Sequence, residues 1–312
     1  MTKFMKIKAL ICSPSKSFSN YESSVKLLFS FLLLLAPVLL HAQFAYTTNG
    51  DNTLTITAYS GTSGFVNIPT NINGLTVTSV GDWAFGVNTN LTNVTIPPTV
   101  TSIGPDAFAS CISLTSVTIP SNVVSLGGSA FSDCWGLTNA MIYGITSLED
   151  ETFDDCPSLE IVTLPGTITY IHGNPFVNCP NLTEVFFLGN FPDELSGLPD
   201  SGKVFSDNPN VTVYCLPGTS NWTFCTLATG ITPVLWNPQI QTTNDNFGVQ
   251  NNQFGFDITG TPAIPIVVEA STNLANPVWT RLTNVTLTNG LFHFSEPAQP
   301  NTPNRYYRIG SP

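Results

Sequence analysis

Charge is what this sequence most lacks. Asp, Glu, Lys and Arg make up 9% of the 312 residues, against about 25% in an ordinary soluble domain. Cations are the scarcer sign, nine Lys and Arg against twenty acids. Five of the nine (Lys3, Lys6, Lys8, Lys16 and Lys26) precede residue 27. Loss of the first 42 residues would leave only Lys203, Arg281, Arg305 and Arg308 against nineteen acids, a net charge of −15. Such a chain has no basic patch for nucleic acid or an anionic membrane surface. Histidine is limited to His41, His172 and His293, far apart in sequence. No G-x-S-x-G, H-E-x-x-H or phosphate-loop pattern occurs, so no familiar nucleophile elbow, zinc helix or nucleotide cradle is marked out.

Long apolar runs are also missing. The longest covers residues 27–40, LLFSFLLLLAPVLL, and is interrupted by Pro37. A bilayer-spanning helix needs about 20 residues. A short apolar run behind a basic segment reads as an export signal, with Leu40-His41-Ala42 as the cleavage site and Ala45 as an alternative. An uncleaved anchor helix is the other reading. What is abundant is β-strand and turn material. Hydrophobic residues reach 42%, with 24 Pro and 23 Gly, and Thr, Asn and Ser fill much of the remainder. Aromatic and β-branched residues are spread throughout, which disfavours disorder.

A repeat organises the middle of the chain. Phenylalanines recur at Phe85, Phe108, Phe131, Phe153, Phe176 and Phe205, in steps of 23, 23, 22, 23 and 29. Three residues after each comes Asn88, Cys111, Cys134, Cys156, Cys179 or Asn208, and six residues after comes Leu91, Leu114, Leu137, Leu159, Leu182 or Val211. The last step holds an insertion within residues 189–203. In the unit LTSVTIP, Leu114, Val117 and Ile119 alternate with outward Thr and Ser, and Pro120 ends the strand. One unit cannot bury its own apolar face. Stacked units share a continuous core and pair strand on strand.

The pattern G-x-x-A-F-x-x-C-x-x-L-x-x-V-x-I-P, seen most fully in GPDAFASCISLTSVTIP, resembles the BspA-type leucine-rich repeat of bacterial and protist surface proteins. The resemblance spans about residues 44–217, counting an N-terminal cap with strands at 54–59 and 65–69, from which residues 74–85 lead into the first full coil. It implies a curved solenoid, a secreted or surface-exposed product, and binding or adhesion in place of catalysis. LTNAMIYG lacks the proline and LTEVFFLG is irregular, so the later coils depart from the pattern. The expected fold is a β-rich leucine-rich repeat solenoid of about six coils of ~23 residues plus the cap, followed by a small β-sandwich-like module. The expected organisation is a signal peptide over 1–42, the repeat domain with its cap and end loop over 43–231, a linker over 232–238 and the module over 239–312.

Past residue 238 the period is gone. Short strand candidates cover 254–259, 264–270, 278–282, 291–294 and 305–309, separated by Gly, Pro and Asn, a rhythm suited to a small sandwich. VEASTNLANPVW and NRYYRI resemble, more loosely, a C-terminal module of secreted proteins from some environmental bacteria. That resemblance implies no defined activity. The module reads either as a solubilising end or as a means of surface attachment.

Candidate sites follow from the repeat. Cys111, Cys134, Cys156 and Cys179 share a position with Asn88 and Asn208. A site that accepts Cys or Asn suits a small polar group bonded to backbone, a structural ladder of buried thiols. Cys215 and Cys225 flank residues 216–224 and could either form a disulfide stapling the solenoid end or stay free. The acidic run Glu149-Asp150-Glu151 with Asp154 and Asp155 lacks the spacing of a calcium loop and reads as a solvated edge. A carboxylate pair acting on sugars is the weaker reading. The outward strand positions form the candidate binding face: Thr92, Thr115 and Thr138 in one row, Ser116, Ile161 and Glu184 in the next, and Thr95, Thr118, Met141, Thr163 and Phe186 in the third. The second row is expected to continue to Val213 and the third to Cys215. Met141, Ile161, Phe186 and Val213 would make an apolar patch, either a partner site or a seat for the C-terminal module.

These observations predict an exported, non-enzymatic protein that docks a protein or glycan on its exposed sheet, with no cofactor or metal. A structural envelope or matrix component is the second reading. An extracellular carbohydrate-active enzyme or its accessory subunit is the third.

Overall fold

The computed structural model describes residues 43–196, 204–205, 208–275, 278–298 and 304–311. The signal-like segment 1–42 and residues 197–203 of the insertion lie outside the described residues. The chain divides into residues 1–44 and 45–312, and everything below concerns the second.

The repeat builds a solenoid with two parallel ladders. The front ladder starts with the pair Phe65–Asn67 and Asn93–Thr95. Beyond this pair a separate six-stranded sheet runs through Ser116–Ile119, Asn139–Ile142, Ile161–Leu164, Glu184–Phe187, Thr212–Cys215 and Val234–Leu235. The rear ladders run through Thr53–Tyr59, Leu75–Val80, Ser102–Ile103 and Ser125–Leu126, then Ser147–Leu148, Tyr170–His172 and Glu194–Ser196. Alternation decides what goes inside. Val117 and Ile119 are buried while Ser116 and Thr118 face out, and the same holds coil after coil.

Between the ladders the anchor phenylalanines form one continuous stack. Successive ring centroids from Phe85 to Phe205 lie between 4.9 and 5.8 Å apart, close to the ~4.8 Å strand spacing that sets the rise of each coil. Tyr59 extends the stack into the cap, 5.3 Å from Phe85. From Phe85 to Phe176 these rings are fully buried, each a contribution of roughly 1.5–3 kcal/mol. The loops that carry them need left-handed backbone at two positions per coil. Asp106 and Ser110 have φ of 54° and 59°, and Ser129 and Asp133 have 54° and 56°. Asp, Asn and Ser tolerate that region; Trp83 and Val87, which fill the same two positions in the first coil at 57° and 59°, are there only because the stacked coils impose it.

The last coil departs from the expected register. Glu184 pairs with Thr212 and Phe186 with Tyr214, so Val213 and Cys215 point inward and are buried, not outward as the sequence suggested. The reason is a lost residue: Val162 and Val185 follow their anchoring leucines by three positions, whereas Val213 follows Val211 by two. Residues 232–238, read as a linker, instead supply the final front strand, and the Trp236 amide donates to the Cys215 carbonyl at 2.7 Å. The one helix among the described residues after the repeats, Trp222–Thr229, closes the solenoid end.

The C-terminal module is two small antiparallel sheets. In one, Gln253–Thr259 pairs with Leu291–Pro297 on one edge and with Gln239–Gln241 and Gly248–Gln250 on the other. In the other, Pro265–Ser271 lies between Thr280–Thr286 and Tyr306–Gly310. Phe256, Ile258, Ile266, Val268 and Phe294 face inward between them.

Candidate functional site

The cysteine position is structural in every coil where its bond is seen. The Cys111 thiol donates to the Phe85 carbonyl at 3.2 Å, Cys134 to Phe108 at 3.3 Å, Cys156 to Phe131 at 3.1 Å and Cys179 to Phe153 at 3.0 Å. In the last coil the Asn208 amide donates to Phe176 at 2.9 Å. Each side chain thus ties its coil to the anchor of the coil before. Asn88 stands at the start of the row, half-buried, its backbone amide donating to Phe85. Burial raises all four thiols, Cys111 and Cys179 to about 12 and the two between them further still. Thiols so far from thiolate are poor nucleophiles and poor metal ligands.

Cys215 and Cys225 are both buried and both free, against the disulfide option. Cys215 lies in the front strand with its sulfur toward the Val234 carbonyl, 3.5 Å away. Cys225 lies on the inner face of the closing helix, where its sulfur is 3.9 Å from the Thr229 hydroxyl.

The acidic run stays at a loop edge. Asp154 is pushed up to about 6, first by burial and then by Asp155, Glu151 and Asp133. Asp150 is committed to the fold, accepting from the Asn174 amide at 2.9 Å. Among the described residues no cluster of acids, Cys and His could hold a metal ion.

The front face divides in two. Its first row proves to be a lock between coils. The Thr92 hydroxyl donates to Gly64, Thr115 to Thr92 and Thr138 to Thr115 carbonyls, at 2.9, 3.2 and 3.0 Å. The other two rows begin open. Thr95 and Thr118 are exposed, Asn93, Ser116 and Asn139 half-exposed, and Phe65, in register with Asn93, is 75% exposed.

Toward the C-terminal end the same rows are covered. Phe186 is 2% exposed and Thr163 also 2%, so neither belongs to a free binding face as the sequence suggested. Phe186 stacks on Tyr214 at 4.6 Å and meets Trp236 edge-on at 6.1 Å. Phe186 and Tyr214 share one core with Phe256, Ile258, Ile266, Val268 and Phe294 of the module, and Ile161 packs against it. The Trp236 indole donates to the Pro265 carbonyl at 2.8 Å, tying the last front strand to the module. Glu184 is caught at this margin. Burial, helped by Glu160, raises its carboxyl, and its Oε2 is buried with no hydrogen-bond partner among the described residues.

Where the covered half meets the open half there is a crevice of about 450 Å³. Met141, Tyr143 and Thr163 form its solenoid wall, and Glu269, Arg281 and Arg308 its module wall. Arg308 donates to Glu269 at 2.7 Å and lies 4.4 Å from the Trp279 ring centre. Two of the chain's few cations therefore border this crevice. Aromatic and apolar walls with a few convergent polar groups, at a junction between structural units, are the usual setting of a binding site. Nothing in the repeat pattern could have revealed it, because half of it comes from the module.

Comparison with known proteins finds the repeat in one family model. The family model described as "BspA type Leucine rich repeat region" matches six copies over residues 65–208. Among solved structures, a leucine rich cell surface protein of Faecalibacterium prausnitzii A2-165 is 26% identical over 55% of this chain and 53% of its own, with a TM-score of 0.42. The Treponema pallidum leucine rich repeat protein is 26% identical over 51% of this chain and 90% of its own, with a TM-score of 0.41. A leucine-rich repeat protein of Eubacterium ventriosum is 24% identical over 48% of this chain and 40% of its own, with a TM-score of 0.40. The chain thus spans about half the length of the first of these. No curated protein matches. With six copies of the sequence motif, a continuous phenylalanine stack and paired parallel ladders, residues 65–208 are a BspA-type leucine-rich repeat region.

Proposed function

We propose that this is an exported, non-enzymatic binding protein that docks a protein or glycan across the open half of its front sheet, from Phe65 to the crevice at Met141. The observation that carries the reading is the division of one repeated surface. The chain covers the apolar half with its own module and leaves the polar half, Asn93, Thr95, Ser116 and Thr118, uncovered and flanked by an exposed Phe65. A face of short hydroxyl and amide side chains loses little conformational entropy when a partner orders it. The repeat family adds support, being typical of surface and secreted proteins. Among the described residues no helix is long and apolar enough to cross a membrane.

The test uses the full chain lacking residues 1–42 on a panel of immobilised matrix proteins and surface polysaccharides. Thr95→Arg with Thr118→Arg places two bulky charges on the open face at exposed positions. It should weaken capture by at least about tenfold without moving the unfolding midpoint. Equal capture by the folded double variant would show the face to be wrong. Export is tested separately. Deletion of residues 1–42 should retain the protein in the producing cell, and normal release would overturn that part of the reading.

A further inference from the structure

The C-terminal module carries an oriented imidazole that nothing above uses. The inner face of its first sheet holds Phe256, Ile258 and Phe294. The alternate residues Gly255, Asp257, His293 and Ser295 therefore share the opposite face. Asp257 is only 6% exposed. Its Oδ1 lies 2.7 Å from His293 Nδ1, and its Oδ2 accepts from the Asn244 and Asn246 amides, both at 2.8 Å. Those bonds, Asn246 first and His293 next, hold the carboxyl below its ordinary range. An ionised carboxylate on Nδ1 keeps the ring proton there and leaves Nε2 as an acceptor. The His293 side chain is 50% exposed.

Register defines what lies beside it. Gly255 is paired with Gly248 on one side and Ser295 on the other, and Gln253 is paired with Gln250 one step along. A Cβ on Gly255 would sit 2.9 Å from the Phe294 carbonyl oxygen and 3.2 and 3.3 Å from His293 Cε1 and Nε2. The imidazole therefore leans over space that only a glycine leaves open. The result is a pocket of about 220 Å³ with His293 on one wall and the two glutamines on the other.

We propose that this pocket binds a single neutral sugar residue of a glycan, with a ring hydroxyl donating to His293 Nε2. No Lys or Arg lines the pocket, so an anion would find no countercharge. The nearby carboxylate already accepts three hydrogen bonds, so a hard cation would find no free carboxylate. What remains is a mixture of neutral donors and acceptors on Gln250, Asn251, Gln253 and Ser295, the complement of neighbouring hydroxyls. The volume is below the ~300 Å³ at which drug-sized ligands fit and suits one ring.

The experiment is saturation-transfer NMR of the chain lacking residues 1–42 with methyl glycosides of glucose, galactose, mannose and N-acetylglucosamine, each at about 10 mM, where weak single-site binding is read. At least one glycoside should give a signal, and His293→Ala should weaken its binding about tenfold, the loss expected for one hydrogen bond. Gln253→Ala, on the facing wall, is the second variant and should weaken it likewise. Asp257 is a positioning residue. Asp257→Asn should shift the His293 tautomer, read from the imidazole ¹⁵N resonances, and weaken the same glycoside. Thr95→Arg with Thr118→Arg should leave the signal unchanged, so failure here is distinct from failure of the docking face. The inference is overturned if no glycoside gives a signal, if binding survives in folded His293→Ala and Gln253→Ala, or if the tautomer is unmoved by Asp257→Asn.

Discussion

Thr118 and Phe186 occupy the same outward row of the same ladder, three coils apart. Register carries Thr118 through Met141 and Thr163 to Phe186. Thr118 meets solvent, whereas Phe186 is at the centre of a core. Backbone geometry is shared, so the difference lies in the side chains and in what they attract. A row of Thr and Ser has little to gain from being covered. A row ending in Phe186 and Tyr214 exposes apolar area that the module removes from water at about 25 cal/mol per Å². A repeat therefore specifies where side chains point without specifying whether they are free.

The largest expected effect would break this comparison directly. Phe186→Ala should destabilise the protein by about 3–5 kcal/mol, as for other buried phenylalanines. Thr118→Ala, in the same row, should change stability by less than about 0.5 kcal/mol. Denaturant unfolding of both variants checks the contrast, and equal effects would mean that the module does not seal the C-terminal half. A middling effect is expected from the thiol ladder, which runs beneath both halves alike. Cys134→Ala should cost about 1–2 kcal/mol through one lost hydrogen bond and a small void. In the native protein the six described cysteines should resist alkylation at pH 8, because each is buried with its thiol raised. Fast modification of Cys111, Cys134, Cys156 or Cys179 without unfolding would contradict the ladder.

The smallest effect concerns Glu184, the row-mate of Ser116 at the sealed margin. Its carboxyl is raised in the folded state, so the folded protein binds that proton more tightly than the unfolded chain does. Stability from this group is present at low pH and is lost as pH rises from the ordinary carboxylate range through the raised value. Glu184→Gln should flatten that decline, which comparison of unfolding midpoints at about pH 4 and pH 7 would show. Ser116→Ala should leave the pH profile unchanged.

Legibility differed by element. The phenylalanine spacing, the inward Leu, Val and Ile, and the interchange of Cys with Asn were open to reading because each repeats six times, and repetition separates a geometric demand from chance. The last coil was misread because a one-residue loss between Val211 and Val213 leaves the anchor spacing intact while reversing which side chains face out. The threonine row looked like a binding surface because donation to a neighbouring carbonyl leaves no mark beyond the residue itself. His293 looked solitary because its partner Asp257 is 36 residues away and joins it only through strand pairing.

The sequence by itself determined the coil, since a period of about 23 residues with alternating apolar positions has one way to bury its faces, by stacking. Tertiary structure alone decided which part of the resulting face remains available. That outcome depends on a non-repetitive module meeting Phe186 and Tyr214 across more than forty residues of chain, and long-range apolar contact has no periodic signature. GPDAFASCISLTSVTIP says where Thr118 points; the packing of residues outside the repeat leaves it open and closes its counterpart at Phe186.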